Sequence, residues 1–203
     1  MPGRSAFLSR ARRAELSLIA VTVVWGLTFS MVKETLESIP PFVFMSYRFI
    51  LAFLVLAAVS GRRLARIDRG TAAAGLLLGV FLYGAYSFQT FGLQYTSAGN
   101  AGFITGLYVV FVPLISLLRG RKLSKALLVS IPLAVMGLWL LNMNVGLNAN
   151  LGNGLVLLGA VFWALHIQLI DRLTQLHSSL DIAVAQYAVC ALLSAFVAFP
   201  VSR

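Results

Sequence analysis

Few side chains in this sequence could do chemistry, and the sharpest of them is Arg48. It lies near the centre of an apolar run that extends from Ile39 to Ser60. A guanidinium at bilayer mid-depth costs about 2.5–3.5 kcal/mol on insertion scales, so it should face protein and have a partner. Two readings are open. Arg48 attracts an anionic group of a solute, or it clamps backbone carbonyls or helix ends. Trp25 and Thr28 form a second candidate pair, three residues apart and so on one helix face; Trp163 and His166 repeat that spacing. Aromatic walls with a few polar groups suit a small-molecule pocket, but tryptophans also serve in packing and in interfacial belts. His166 titrates near neutral pH in water, whereas a buried neutral histidine bonded to a carbonyl is the more frequent case. Tyr83, Tyr86, Ser87 and Thr90 make a polar stripe at helical spacing, and Asn100, Thr105 and Tyr108 follow on the next run. Such residues turn inward in a membrane helix, to line a cavity or to bond between helices.

Enzymatic chemistry finds no support. The sequence has no His-Glu-x-x-His, no paired intramembrane aspartates, no Cys/His metal cluster and no phosphate-binding glycine loop. No catalytic residue, metal or cofactor is therefore expected. Acidic residues are confined to the ends of apolar runs (Glu34, Glu37, Asp171 and Asp181 among them), so a carboxylate proton relay is missing. Facilitated diffusion or exchange is as open as proton coupling.

The elements that must position these residues are membrane helices. The 203-residue chain is 60% hydrophobic and only 11% charged, which places it in the membrane class. Its net charge of +10 does not point to nucleic acid, because the charges sit in the gaps between apolar runs. The single cysteine, Cys190, cannot form an internal disulfide. Seven spans are expected, near Leu16–Thr35, Ile39–Ser60, Thr71–Leu93, Ser97–Leu118, Ala126–Asn142, Leu151–Ile170 and Ile182–Pro200. The first is read as a membrane helix rather than a cleaved signal: it is about 20 residues long, lacks a clear small-x-small site and is followed by more spans.

Charge sets the expected orientation. Arg4, Arg10, Arg12 and Arg13 precede the first span; Arg62, Arg63, Arg66 and Arg69 fill the second gap. Arg119, Arg121, Lys122 and Lys125 fill the fourth gap, and Arg172 lies in the sixth. The odd gaps hold only Lys33. This asymmetry places the N-terminus and the even gaps in the cytoplasm. The fifth gap, Met143 to Asn153, is uncharged and asparagine-rich, as suits a short external loop.

The stretch Phe91–Lys122 is the most unusual. Ala98, Gly102 and Gly106 recur every fourth residue, and Pro113 interrupts the apolar run. Small residues at that spacing make a flat face for a neighbouring helix, and Gly75 and Gly79 make another. A faint internal repeat appears at an offset of 138 residues: Val23, Trp25, Leu27 and Leu54 meet Val161, Trp163, Leu165 and Leu192. Five intervening spans would invert the second copy, a transporter architecture with its site at the repeat interface. Trp25 with Thr28 would then face Trp163 with His166.

Trp25-Gly26, Pro40-Pro41, Tyr47-Arg48-Phe49, Tyr95 through Ala101, Pro113, and Gly154 through Leu165 occur in an order that resembles the EamA-type family of the drug/metabolite transporter superfamily. The resemblance covers nearly the whole chain. It implies ten helices in two inverted copies of five. The expected fold is thus an all-α polytopic membrane bundle: a basic cytoplasmic segment (1–14), a first repeat of five helices (15–143) and the first two helices of a second (150–203). The matching arginine in the family lies on a helix outside the central cavity, which favours the clamping role for Arg48. Where the family often carries an acidic residue after helix four, this chain has Arg119-Gly120-Arg121-Lys122, so no carboxylate role is transferred.

The resemblance implies a secondary-type transporter, expected to export a small organic metabolite (amino acid or drug-like) by alternating access. Its partners would be the lipid bilayer and a small-molecule substrate, and its place the bacterial inner membrane as a multi-pass protein. Two alternatives stand beside this. The chain could be a truncated or partner-dependent half, acting as a homo-oligomer or with a complementing half. It could also be a membrane interaction protein without transport, for which no motif speaks.

Overall fold

The computed structural model describes residues 3–122, 125–142 and 150–201. Among these the chain is helical, without strands. The helices are α1 (Gly3–Thr35), α2 (Pro41–Ser60), a 3-10 segment (Gly61–Arg66), α3 (Arg69–Leu93), α4 (Ala98–Gly106), α5 (Tyr108–Leu118), α6 (Lys125–Asn142), α7 (Leu151–Leu173) and α8 (Ser179–Val201). Six segments are long and apolar enough to cross a bilayer, with α4 and α5 forming one of them. A shorter apolar stretch, Leu127–Gly137, lies in α6. The chain is a polytopic membrane helix bundle.

Two boundaries differ from the sequence expectation. Residues 3–14 continue α1 without a break, because Ala, Arg and Leu in this segment are good helix formers and no glycine or proline intervenes after Gly3. The expected fourth span is broken at Leu107, one and a half turns before Pro113. Proline removes one backbone donor and crowds the preceding turn. The segment is tied sideways instead: Gln168 on α7 donates from Nε2 to the Val112 carbonyl (2.7 Å) and to Ser116 Oγ. Most of the expected fifth gap (143–149) and Arg203 lie outside the described residues.

Helix ends follow local chemistry. Asp68, Ser97 and Asn150 cap α3, α4 and α7 by accepting from the backbone N–H three residues on. Gly120, at φ 77°, stops α5: its N–H donates to Leu117 O, and that of Arg121 to Ser116 O. The basic run after α5 is thus a helix stop requiring glycine, with no carboxylate in it.

α3 is the centre of the bundle. It packs against α7 on one side and α8 on another, while α2 lies along α8. The α3–α8 contact is made by Gly75 and Gly79: a Cβ at Gly75 would fall 2.2 Å from Ala185 Cβ, and one at Gly79 2.6 Å from Val189 Cβ. The expected flat face is real, and α8 is its partner. Gly92 and Gly152 bring α3 and α7 together in the same way, each Cβ position lying within 3 Å of the other's carbonyl oxygen. In lipid, close van der Waals packing of this kind replaces the hydrophobic drive of a soluble core.

Polar ties mark the two ends of the bundle. At the end away from the basic clusters, Lys33 Nζ donates to Leu93 O (2.8 Å) and Gln94 O (3.0 Å). The only basic residue of the odd gaps is thus a clasp on the C-terminus of α3, where the helix dipole favours a cation. Lys33→Met should lower stability by about 1–3 kcal/mol, since it removes charge-assisted bonds to carbonyls. A detergent-unfolding titration of the two proteins measures this.

At the opposite end, Thr71 Oγ1 donates to Asp68 Oδ2 (3.0 Å) and sits 2.9 Å from His177 Nδ1 in the α7–α8 turn. With the hydroxyl proton committed to Asp68, His177 donates from Nδ1. Gly70 leaves room for this ring, whose Cε1 would lie 3.3 Å from a Cβ there. The Thr71 backbone N–H, then its hydroxyl, hold the Asp68 carboxyl below its ordinary value of 3.8. The unfolded chain then binds the proton more readily than the folded one. The cap's stability is therefore present at neutral pH and is lost as pH falls below the ordinary carboxylate range. The thermal midpoint should drop on acidification through that window, and Asp68→Asn should flatten the drop.

Candidate functional site

The side chains named from sequence converge on the middle of the bundle, but not on one surface. Their common feature is a run of aromatic rings through five helices. Tyr108 stacks on Trp25 at 6.2 Å, Trp25 meets Trp163 edge-on at 5.6 Å, and Trp163 meets Tyr86 at 4.9 Å. Phe49 then meets Tyr86 at 5.2 Å, and the Arg48 guanidinium carbon stands 4.4 Å from the Tyr86 ring centroid. Each such ring pair contributes about 0.5–1.5 kcal/mol beyond its buried area.

A cavity of about 460 Å³ opens beside this run, between α1 and α4–α5. Trp25, Phe29 and Tyr108 form its aromatic wall, and Thr105 is its buried polar group. Its floor is the small-residue face of α4: Ala98, Gly99, Gly102 and Gly106. That face was expected to receive a neighbouring helix. Instead, a Cβ at Gly102 would meet nothing within 4 Å. Gly102 here makes space rather than contact. The volume falls within the ordinary range for small-molecule pockets, about 300–1,000 Å³.

Other predicted residues are drawn elsewhere. Thr28 turns its hydroxyl back to the Trp25 carbonyl at 2.6 Å and faces the cleft between α1 and α2 instead of the cavity. His166 is buried and pairs through Nε2 with Gln186 Oε1 on α8 at 2.9 Å. Trp25 and Trp163 therefore meet, and the His166 ring stands edge-on to Trp163 at 6.0 Å while Gln186 holds its Nε2; Thr28 turns away from them. Tyr86 accepts from Arg48 NH2 at 3.1 Å. Thr90 is buried beside a narrow slit that it shares with Arg48 and Trp25. Tyr83 Oη, Ser87 Oγ, Asn100 Oδ1 and Trp163 Nε1 are buried without a hydrogen-bond partner.

Sequence reasoning missed the glutamines. Gln89 donates to Thr105 Oγ1 at 2.9 Å, locking α3 to α4 at the cavity, and Gln168 and Gln186 make the ties already described. The available signal was an amide inside an apolar run, where bonds between helices are the usual use. Among the described residues no cluster of His, Cys, Asp or Glu could hold a metal ion.

A family model described as the EamA-like transporter family matches residues 12–143. A protein of Archaeoglobus fulgidus named an uncharacterized transporter is 34% identical over 192 residues, covering 94% of this chain and 59% of that protein. The uncharacterized inner membrane transporter YedA of Escherichia coli K12 is 29% identical over 154 residues, covering 73% of this chain and 50% of YedA. The chain thus spans about half to three-fifths of the length of the curated relatives it matches. One crystal structure, 21% identical, superposes with a TM-score of 0.59 over 86% of this chain and 65% of that one, a likeness of fold.

Proposed function

Since this chain belongs to the EamA-like transporter family, we propose that it carries a small organic metabolite, amino-acid-like or drug-like, outward across a bacterial-type inner membrane. The membrane protein reading and the transporter class rest on the family and on the names of its relatives, which point away from an enzyme. The site and the direction are our proposal, and one observation carries the site: the 460 Å³ cavity with aromatic walls and a glycine floor. Thr22, Ser30 and Thr105 are the hydroxyl side chains that line it, and a polar solute could bond to them. Alternating access would work by rocking of the two repeats against each other around a midplane cavity, in line with an inverted repeat. Leu16, Leu18, Val21, Val24 and Leu27 are all more than half exposed and make an open apolar flank on α1. The N-terminus and the basic gaps are assigned to the cytoplasm by their charge.

The test is uptake into proteoliposomes loaded with candidate amino acids and other metabolites. At least one solute should cross clearly faster than in protein-free vesicles, and Trp25→Ala should slow it. Equal rates for every solute would sink the proposal. A second reading follows from the open flank of α1: transport would need a further helical segment, from a second copy or a complementing half, to close the cavity. In that case the purified chain is inactive and regains transport only with the added segment.

A further inference from the structure

Arg48 poses a charge problem that the cavity beside α4 does not solve. It lies seven residues into α2, about 10 Å from the helix start at 1.5 Å per residue. One guanidinium donor reaches Tyr86 Oη, and the ring of that same tyrosine lies beneath the charge. Tyr86 is a neutral partner, and a guanidinium has five donors. The chain's six acidic side chains are Glu15, inside the N-terminal half of α1, and Glu34, Glu37, Asp68, Asp171 and Asp181, at helix ends or in turns. None forms an ion pair with Arg48. A cation held this deep among apolar helices normally pairs with an anion or lines a solute path.

The space around it fits an anionic occupant. Arg48 borders a cleft of about 380 Å³ between α1 and α2, whose other walls include Met31, Phe44 and Leu51. It also borders the slit behind α1, with Trp25, Thr28, Gln89 and Thr90. That slit shares Trp25 and Phe29 with the larger cavity, and shares Thr28, Val32 and Arg48 with the cleft. A line of polar groups (Arg48, Gln89, Thr105) therefore runs beneath α1 from one open space to the other. The slit itself holds only about 10 Å³, so the two spaces are separated in this conformation.

We propose that Arg48 binds the carboxylate of an amphiphilic organic acid in the α1–α2 cleft, making such acids the solute class of this protein. The assignment rests on the transport reading above and adds a binding site on the opposite side of α1. The apolar walls take the body of the acid, and the guanidinium takes its two oxygens. A phospholipid phosphate offers the same charge, so the experiment separates the two sources.

Binding of radiolabelled benzoate and of its neutral isostere benzamide is measured on the chain in phosphatidylcholine nanodiscs. Benzoate should bind at least about tenfold tighter than benzamide. Arg48→Gln should erase that preference, and Arg48→Lys should keep part of it. Equal affinities in the wild type, no binding of either probe, or a preference that survives Arg48→Gln would each overturn the assignment. The wild-type comparison needs no variant to fold. Benzoate binding should be the same in discs of a phosphate-free galactolipid; binding that tightens when the phospholipid is removed would make the occupant a lipid phosphate and overturn the carboxylate assignment. Benzoate preference without vesicle transport would sink the transport reading alone, and transport of neutral solutes without that preference would sink this inference alone.

Discussion

Gly75→Leu should leave little folded protein to purify. The missing side chain at this position is what lets α3 touch α8: a Cβ would sit 2.2 Å from Ala185 Cβ and 3.1 Å from Ala185 carbonyl carbon. Neither atom is the end of a flexible chain, so relief requires the helices to separate. Separation is costly here, because Gly79 lies one turn on against Val189 and the Gln186 carbonyl, and Cys190 donates to Gly79 O. α3 also carries α7, so a shift on one side is felt on the other. Inserting extra methylenes into a well-packed core costs about 1–3 kcal/mol; leucine adds four carbons where no atom can yield. The expected readout is loss of the monodisperse peak in size exclusion and loss of a cooperative melt. Gly154→Leu is the control, since a Cβ there meets nothing within 4 Å. A Gly75→Leu protein that melts with the wild type would show that the α3–α8 contact is not what the helices depend on.

Gly102→Leu should do the reverse, preserving the fold and stopping transport. Gly102 belongs to the four-residue small-side-chain face of α4, yet no atom approaches its Cβ position within 4 Å. The space in front of it is the cavity bounded by Trp25 and Tyr108. A leucine would project into that volume rather than into a helix. The thermal midpoint should stay close to that of the wild type, while solute flux falls by about tenfold or more. Gly102→Ala, a smaller obstruction, should fall between. Unchanged flux in a folded Gly102→Leu protein would remove this cavity from the solute path. The pair of substitutions thus separates two uses of glycine that look alike in the sequence: contact on α3, and space on α4.

The sequence by itself determined the class of protein and the helices. Apolar runs of bilayer length, with arginine and lysine held to alternate gaps, leave no other solution for a backbone that must satisfy its own hydrogen bonds in lipid. It also singled out Trp25 and Trp163, whose rings meet at 5.6 Å, and the Gly75–Gly79 face. Tertiary structure decided the partners. Periodicity gives the face of a helix but not the helix opposite, so Gly75 and Gly102 looked equivalent until α8 covered one and left the other open. Likewise, Thr28 was on the right turn, but its hydroxyl bonds to the Trp25 carbonyl, and His166 found Gln186 twenty residues along the chain. The clasp of Lys33 on the end of α3 crosses some sixty residues of sequence, and nothing local announces it. Such pairings are set by which surfaces meet when the helices pack, and helix packing in lipid depends on fit between two faces that are distant in the chain.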